Sequence, residues 1–257
     1  MKKFFIIILL MFICLYVSFH LACASDKQEG YSRRRELHKN APNENQVKKL
    51  DKSISGTFVY KPPKKSKMGS RICSVVRGAG DDVLSLSVLA PDHTGLTTHS
   101  QPSFYWYHSG PNAHNIEFTL NDEQGIKPLL EIHCDVADNN RIQCLDLSDY
   151  NLHLSPGIHY EWFVAMVPDP EQRAHDIIAR GTVECVEPSQ ELIKRLSEAH
   201  ELDIPFIYAD EGLWYDALSA LSKLIALYPN NNDLREKRAS LLEQVGLSEV
   251  AEYERTR

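Results

Sequence analysis

From Val83 onward, apolar and polar residues alternate in short bursts, each closed by turn-forming residues. Val83-Leu84-Ser85-Leu86-Ser87-Val88-Leu89 opens the series, and Phe104-Tyr105-Trp106-Tyr107 follows Pro102. Ile116-Glu117-Phe118-Thr119-Leu120 alternates strictly before the turn at 121–125, and residues 129–136, 142–147, 160–167 and 177–186 complete the set. About seven short strands with turns between them predict an antiparallel β-sandwich. No long helical pattern interrupts them, which argues against a parallel α/β sheet.

From Ser189 the spacing turns helical. Ser189 is a helix N-cap ahead of Glu191 and Leu192-Ile193. Residues 214–228 carry Leu218, Leu221, Ile225 and Tyr228 on one face, and Pro229 with Asn230-Asn231-Asn232 stops the run. A second helix is expected over 233–245, ending at Gly246. Gly212-Leu213 recurs as Gly246-Leu247 and Ala217 as Ala251, both 34 residues on, the tetratricopeptide period. Between one and two such units predict a helical hairpin cap rather than a solenoid. A plain helical hairpin with coincidental spacing is the alternative. The fold class read from these periods is α+β, an immunoglobulin-like sandwich followed by a tetratricopeptide-like cap.

The N-terminus reads as an address. Lys2-Lys3, the apolar run 4–19 and Ala22-Cys23-Ala24 are the three parts of a secretory signal cleaved after Ala24. The run of 16 residues is short of the ~20 a spanning helix needs. Two alternatives stay open: acylation of Cys23 as in bacterial lipoproteins, where Leu rather than His20 is usual three residues upstream, and an uncleaved anchor.

Charge divides the chain. Residues 25–71 carry +8, whereas residues 72–257 carry −17. A body that acidic repels phosphate backbones, so nucleic acid is not an expected partner. The basic, apolar-poor segment predicts a mostly disordered linker, or a tether to an acidic partner. The expected organisation is a signal over 1–24, the linker over 25–71, the sandwich over 72–187 and the helical cap over 188–257.

Beyond Cys14 and Cys23 four cysteines remain, an even count that in an exported protein predicts two disulfides with three possible pairings. Cys134 and Cys144 are symmetric about Asn139, so a hairpin centred there would set them opposite each other. Cys73 and Cys185 would then pair. Metal-ligand spacing of the CxxC or CxH kind is absent.

Leu154-Ser155-Pro156-Gly157-Ile158-His159-Tyr160-Glu161-Trp162 resembles the tyrosine corner of immunoglobulin-like domains, in which a strand-opening Tyr folds its hydroxyl onto the preceding loop. In Phe104-Tyr105-Trp106-Tyr107 alternate rings face opposite ways. One pair belongs to the core. The other, Tyr105 and Tyr107, is covered by the helical cap or forms a recognition patch, and Trp214 and Tyr215 pose the same choice. These four are the candidate binding residues.

Catalytic signatures are thin. GxSxG, HExxH, Walker and Rossmann motifs are absent. His93, His99, His108 and His114 cluster around the first aromatic strand without the spacing of metal ligands and read as loop histidines. Asp81, Asp82 and Asp92 with Asp122 or Glu123 offer a weak calcium set, and Glu117, Asp122 and Glu123 a weak paired-carboxylate set. No catalytic residue, metal or cofactor is assigned.

The chain resembles the domain of unknown function 928 family, a group of exported bacterial proteins. The matching stretches are Phe58…Pro62-Pro63, Leu89-x-Pro91…Gly95-Leu96-Thr97…Pro102-Ser103-Phe104-Tyr105-Trp106-Tyr107 and Glu117-Phe118-x-Leu120. Leu154-x-Pro156-Gly157-x-x-Tyr160-x-Trp162, Asp169-Pro170…Arg173 and Tyr208-Ala209-x-x-Gly212-x-Trp214-Tyr215-Asp216-Ala217-Leu218 follow, the last being the most specific. The likeness covers roughly residues 58–248. It departs after Pro63, where Lys64-Lys65-Ser66-Lys67 stands in place of an expected Gly- and Arg-rich stretch. The resemblance implies export and an architecture, and no activity. The expected function is a periplasmic or cell-surface, non-enzymatic binding or assembly module with an envelope or surface protein as partner. Membrane contact is expected only through an uncleaved or lipidated N-terminus. The alternative is an exported hydrolase with its site between sandwich and cap, where clustered titratable groups would favour the enzyme and an apolar groove would favour binding.

Overall fold

The computed structural model describes residues 58–63, 71–77, 83–109, 115–134 and 141–257, all within one unit spanning 51–257. The expected signal at 1–24, most of the basic segment, Asp81, Asp82, His114 and the turn at 135–140 lie outside the described residues.

Two sheets face each other. β1 (Cys73–Arg77), β2 (Val83–Val88), β4 (Ser103–His108) and β7 (Ile142–Asp146) form one, antiparallel throughout, in the order β1-β2-β4-β7. β3 (Gly95–Thr97), β9 (Ile177–Cys185), β8 (His159–Met166), β5 (Ile116–Asp122) and β6 (Leu130–Cys134) form the other, in the order β3-β9-β8-β5-β6. Its one departure from antiparallel pairing is β3, which runs parallel to β9 with Thr97 opposite Cys185.

The alternating segments bury the faces their period requires. Tyr160, Trp162, Val164 and Met166 line the inner face of β8, and Ile116, Phe118 and Leu120 that of β5. Phe104 and Trp106 of β4 meet them across the interior, with the Phe104 and Trp162 ring centres 4.8 Å apart. Each such side chain contributes roughly 1.5–3 kcal/mol by leaving water, against about 0–1 kcal/mol for an exposed ion pair, so this aromatic centre dominates the cohesion of the sheets.

Every residue of β4 is buried, because helices cover its other face. Five helices follow the sheets: α1 (Gln190–Glu198), α2 (Ile204–Asp210), α3 (Trp214–Leu227), α4 (Asn232–Glu243) and α5 (Ser248–Thr256). Ser189 caps α1, its hydroxyl accepting the Leu192 N–H at 3.0 Å. Tyr105 lies between Cys144 of β7 and Ser219 and Ser222 of α3, and Tyr107 packs on Tyr253 of α5.

The 34-residue sequence interval is also a structural interval. The Leu213 N–H donates to the Tyr208 carbonyl at 2.9 Å, and the Leu247 N–H to the Leu242 carbonyl at 3.0 Å. Gly212 and Gly246 both sit at φ +76°, the left-handed conformation that ends a helix on glycine. The Ala217 and Ala251 N–H groups then start the next helices on the Leu213 and Leu247 carbonyls.

The Tyr160 hydroxyl accepts the Ser155 N–H at 2.9 Å, the fold-back expected from the sequence. Residues 58–63 belong to the folded body. Phe58 and Tyr60 are buried, and the Lys61 N–H donates to the Ala209 carbonyl at 3.0 Å.

The cysteines require a correction. None of Cys73, Cys134, Cys144 and Cys185 is in a disulfide, and no disulfide is present among the described residues. The hairpin expected between residues 129–136 and 142–147 does not form, because its two arms belong to opposite sheets. Cys134 pairs with Ile116 of β5, and Cys144 with Tyr105 of β4. Leu145 and Ile142 find their apolar partners opposite Phe104 and Tyr107 instead. The second pairing fails on distance. Ile72, beside Cys73, bridges Arg180, and Cys185 stands about 16 Å further along β9 at ~3.3 Å per residue. A disulfide needs Cα atoms roughly 4.4–6.8 Å apart.

Candidate functional site

The start of α3 joins the helices to the sheets through three consecutive side chains. Trp214 Nε1–H donates to the Leu89 carbonyl at 2.8 Å. The Tyr215 hydroxyl donates to the Thr182 carbonyl at 2.9 Å and accepts the Trp162 indole N–H at 2.8 Å. Asp216, 3% exposed, accepts from the Thr97 hydroxyl, the Thr98 N–H at 2.8 Å, the Thr98 hydroxyl at 2.7 Å and His99 Nδ1 at 3.0 Å. A buried carboxylate needs such donors, since leaving one unpaired costs several kcal/mol.

Those bonds fix His99 at the edge of a cleft of about 250 Å³ between the strand ends and the helices. Gln101, Ser103 and Asp146 line the sheet side, and Ile204, Tyr208, Ser219 and Lys223 the helix side. Helical spacing aims Asp216, Ala220 and Lys223 the same way, and Ser103 and Asp146 meet as a cross-strand pair. The Ser103 hydroxyl donates to Asp146 at 3.0 Å.

Charge in the cleft is ordered. The hydrogen bond to Asp216 holds the His99 imidazole above its usual pKa, against partial burial and the Lys223 charge, and places the proton on Nδ1. Burial alone would raise Asp146. The Ser148 hydroxyl and N–H, the Ser103 hydroxyl and Lys223 outweigh it and hold the carboxyl below its ordinary value. Cys185 approaches the His99 carbonyl at 3.8 Å, and burial pushes its thiol up, so it is no thiolate nucleophile.

The residues singled out in the sequence fall elsewhere. Tyr105, Tyr107, Trp214 and Tyr215 are all buried, which is the covered alternative and not an exposed recognition patch. Only Tyr215 reaches the cleft. The histidines do not assemble. His93 hydrogen-bonds Tyr60 at 2.8 Å, His108 is buried in β4, and His99 alone meets a carboxylate in the cleft. Among the described residues no three His, Cys, Asp or Glu side chains gather as metal ligands. Glu117 is gripped by both Arg173 nitrogens at 2.6 and 2.8 Å, whereas Asp122 closes its own turn on the Gln124 and Gly125 N–H groups. Asp92 pairs with Arg71 at 2.9 Å. Glu117 and Asp122 therefore do not come together, and Asp81 and Asp82 of the other set lie outside the described residues.

His99 and Asp216 were the pair missed. A signal was available: Asp216 is a charged residue inside the otherwise apolar Trp214-Tyr215-Asp216-Ala217-Leu218 run, a position that burial forces into partnership.

Among curated proteins nothing matches. A multi-domain immunophilin from Arabidopsis thaliana is a structural match at 9% identity, covering 75% of this chain and 97% of that chain with a TM-score of 0.15, a superposition too poor to carry an argument. A family model described as Domain of Unknown Function (DUF928) matches residues 67–255, from ahead of the first strand to the last turn of α5. That span contains both sheets, the five described helices short of the final residue of α5, and the whole lining of the cleft, and the protein belongs to the DUF928 family.

Proposed function

We propose that this protein is an exported, non-enzymatic binding module, periplasmic or at the cell surface, whose ligand site is the cleft beside His99 and Asp216. The cleft carries this reading. It opens between two rigid layers, mixes fixed polar groups with an apolar wall, and spends its buried carboxylate on positioning rather than on a reacting group. No hydroxyl or thiol among the described residues hydrogen-bonds His99 Nε2, so the dyad lacks a bound nucleophile. We further read the paired sheets as an immunoglobulin-like sandwich, which the Tyr160 fold-back supports, and the helices as tetratricopeptide-like, which the repeated turn supports. Export rests on the N-terminal signal pattern, and the partner is an envelope or surface component.

The test is affinity capture from an envelope extract with the intact protein and an Ala220→Phe variant that fills the cleft. Mass spectrometry of proteins and small molecules should find material that only the open cleft retains. Identical eluates from two equally stable proteins would remove the cleft as the site.

A second reading, an exported hydrolase, is favoured by one observation, the His99–Asp216 pair at 3.0 Å. Chromogenic esters, amides and glycosides should give no turnover. Turnover that disappears in His99→Ala replaces the binding reading with the enzymatic one.

A further inference from the structure

Among the described residues, two groups of opposite charge line this cleft without an ion pair or hydrogen bond to the protein. Lys223 projects from α3, and Glu201 belongs to the short 3-10 turn Glu201–Asp203 that leads into α2. Both are exposed, and neither forms an ion pair among the described residues, with each other or with any neighbour. The carboxylates deeper in the cleft differ. Asp216 is engaged by Thr97, Thr98 and His99, and Asp146 by the hydrogen bonds of Ser103 and Ser148, with the Lys223 charge acting on it only at longer range. The wall beside the two free charges is apolar, made by Ile204, Tyr208 and Leu224.

A ligand that is only an anion meets Glu201 and the −17 charge of residues 72–257. One that is only a cation meets Lys223. A molecule carrying both charges a few bonds apart satisfies both, and its remaining carbon skeleton gains from the apolar wall. The volume of about 250 Å³ lies just under the ~300–1,000 Å³ of sites for drug-sized ligands, which sets the size at that of an amino acid. We propose that the cleft binds an amino-acid-sized zwitterion with an apolar side chain, its carboxylate on Lys223, its ammonium on Glu201, and its side chain against Ile204, Tyr208 and Leu224. This rests on the cleft being the ligand site.

Calorimetric titration of the intact protein with L-leucine and L-phenylalanine tests the proposal. The comparison probes keep one charge each: L-leucinamide as the cation and 4-methylpentanoate as the anion. At least one zwitterion should bind, and the single-charge probes about tenfold more weakly, the size expected for losing one charge-assisted contact. Lys223→Met should make L-leucine and L-leucinamide bind alike, and Glu201→Gln should do the same for L-leucine and 4-methylpentanoate. Both substitutions are at exposed positions and should leave the fold intact, read as an unchanged melting temperature. Failure of both zwitterions to bind, or equal binding of all probes, overturns the zwitterion assignment. If capture from the envelope extract still depends on the open cleft in that case, the cleft reading stands alone. If capture is also indifferent to Ala220→Phe, both fall.

Discussion

The Tyr215 hydroxyl on α3 receives the indole N–H of Trp162 on β8 at 2.8 Å, deep between helix and sheet. Tyr215 is 1% exposed and Trp162 fully buried, and the same hydroxyl passes its own proton to the Thr182 carbonyl. Removing the oxygen strands a donor and an acceptor in the dry interior. Tyr215→Phe should therefore cost about 1–3 kcal/mol, read as a lower urea midpoint. An unchanged midpoint would mean that water reaches this junction. Trp214→Ala, which also empties a buried volume, should cost more, roughly 3–5 kcal/mol.

The paired turn glycines separate two kinds of strain. Gly212→Ala and Gly246→Ala both force a side chain into the left-handed region, at about 1–2 kcal/mol. Only Gly212 also faces a wall: a Cβ there lies 2.7 Å from the Lys61 carbonyl oxygen, whereas at Gly246 the nearest atom is the end of the Arg71 side chain at 3.6 Å. Thermal denaturation should rank Gly212→Ala clearly below Gly246→Ala. Equal losses would show that residues 58–63 yield without resistance.

Between α4 and α5, Arg238 donates to Glu254 at 2.7 and 2.8 Å, and to the Ser222 hydroxyl at 3.0 Å. Glu254 is completely buried. Arg238→Met leaves that carboxylate without its counter-charge and should cost about 3–5 kcal/mol. The double variant Arg238→Met with Glu254→Leu should recover most of the loss. A double-mutant cycle decides it, and additive losses would refute a coupled pair.

His99 gives a pH signature. Its folded-state pKa is raised, chiefly by the hydrogen bond to Asp216, so its stabilisation is complete below the unfolded value of ~6.5 and is lost as pH rises through the folded value. NMR titration should place the His99 midpoint above ~6.5 and show it falling in Asp216→Asn. The stability gap between wild type and His99→Gln should narrow from acidic to alkaline pH. It should stay small throughout, because the imidazole is 58% exposed. A midpoint below that of a free histidine contradicts the geometry.

Much of the fold was readable because it is local. The strict alternation of Ile116-Glu117-Phe118-Thr119-Leu120 and the aromatic run after Pro102 specify strands whatever their partners. β3 was not readable. Gly95-Leu96-Thr97 has no alternation to display and becomes a strand only by lying beside β9, some ninety residues away. α2 hid behind Pro205, which reads as a breaker yet sits in the first turn, where its missing N–H has no consequence. The hairpin misreading has the same root: alternation specifies which face is buried, and says nothing of which sheet a strand joins. The cleft was half legible. Asp216, Ala220 and Lys223 share a helix face by spacing alone. Ser103, Asp146 and Glu201 reach it only through tertiary packing, which no local period encodes.

The strap formed by residues 58–63 constrains the order of assembly. Gln244 donates to the Phe58 carbonyl at 2.9 Å and accepts the Tyr60 N–H at 2.8 Å, contacts made across 186 and 184 residues of chain. A ribosome adding ~5–20 residues per second needs about 10–40 s to connect the second pair. For that interval both bonds to Gln244 stay open, and loops that long close late on any folding route. A chain truncated ahead of Gln244 keeps every strand and the ring contacts of Phe58 and Tyr60 with Phe206, His93 and Trp214, yet leaves the Phe58 carbonyl and the Tyr60 N–H without their Gln244 partners. Residues 244–257, which carry all of α5 and the Glu254 counter-charge to Arg238, thus add both the strap's most distant anchor and the helix that completes this ion pair.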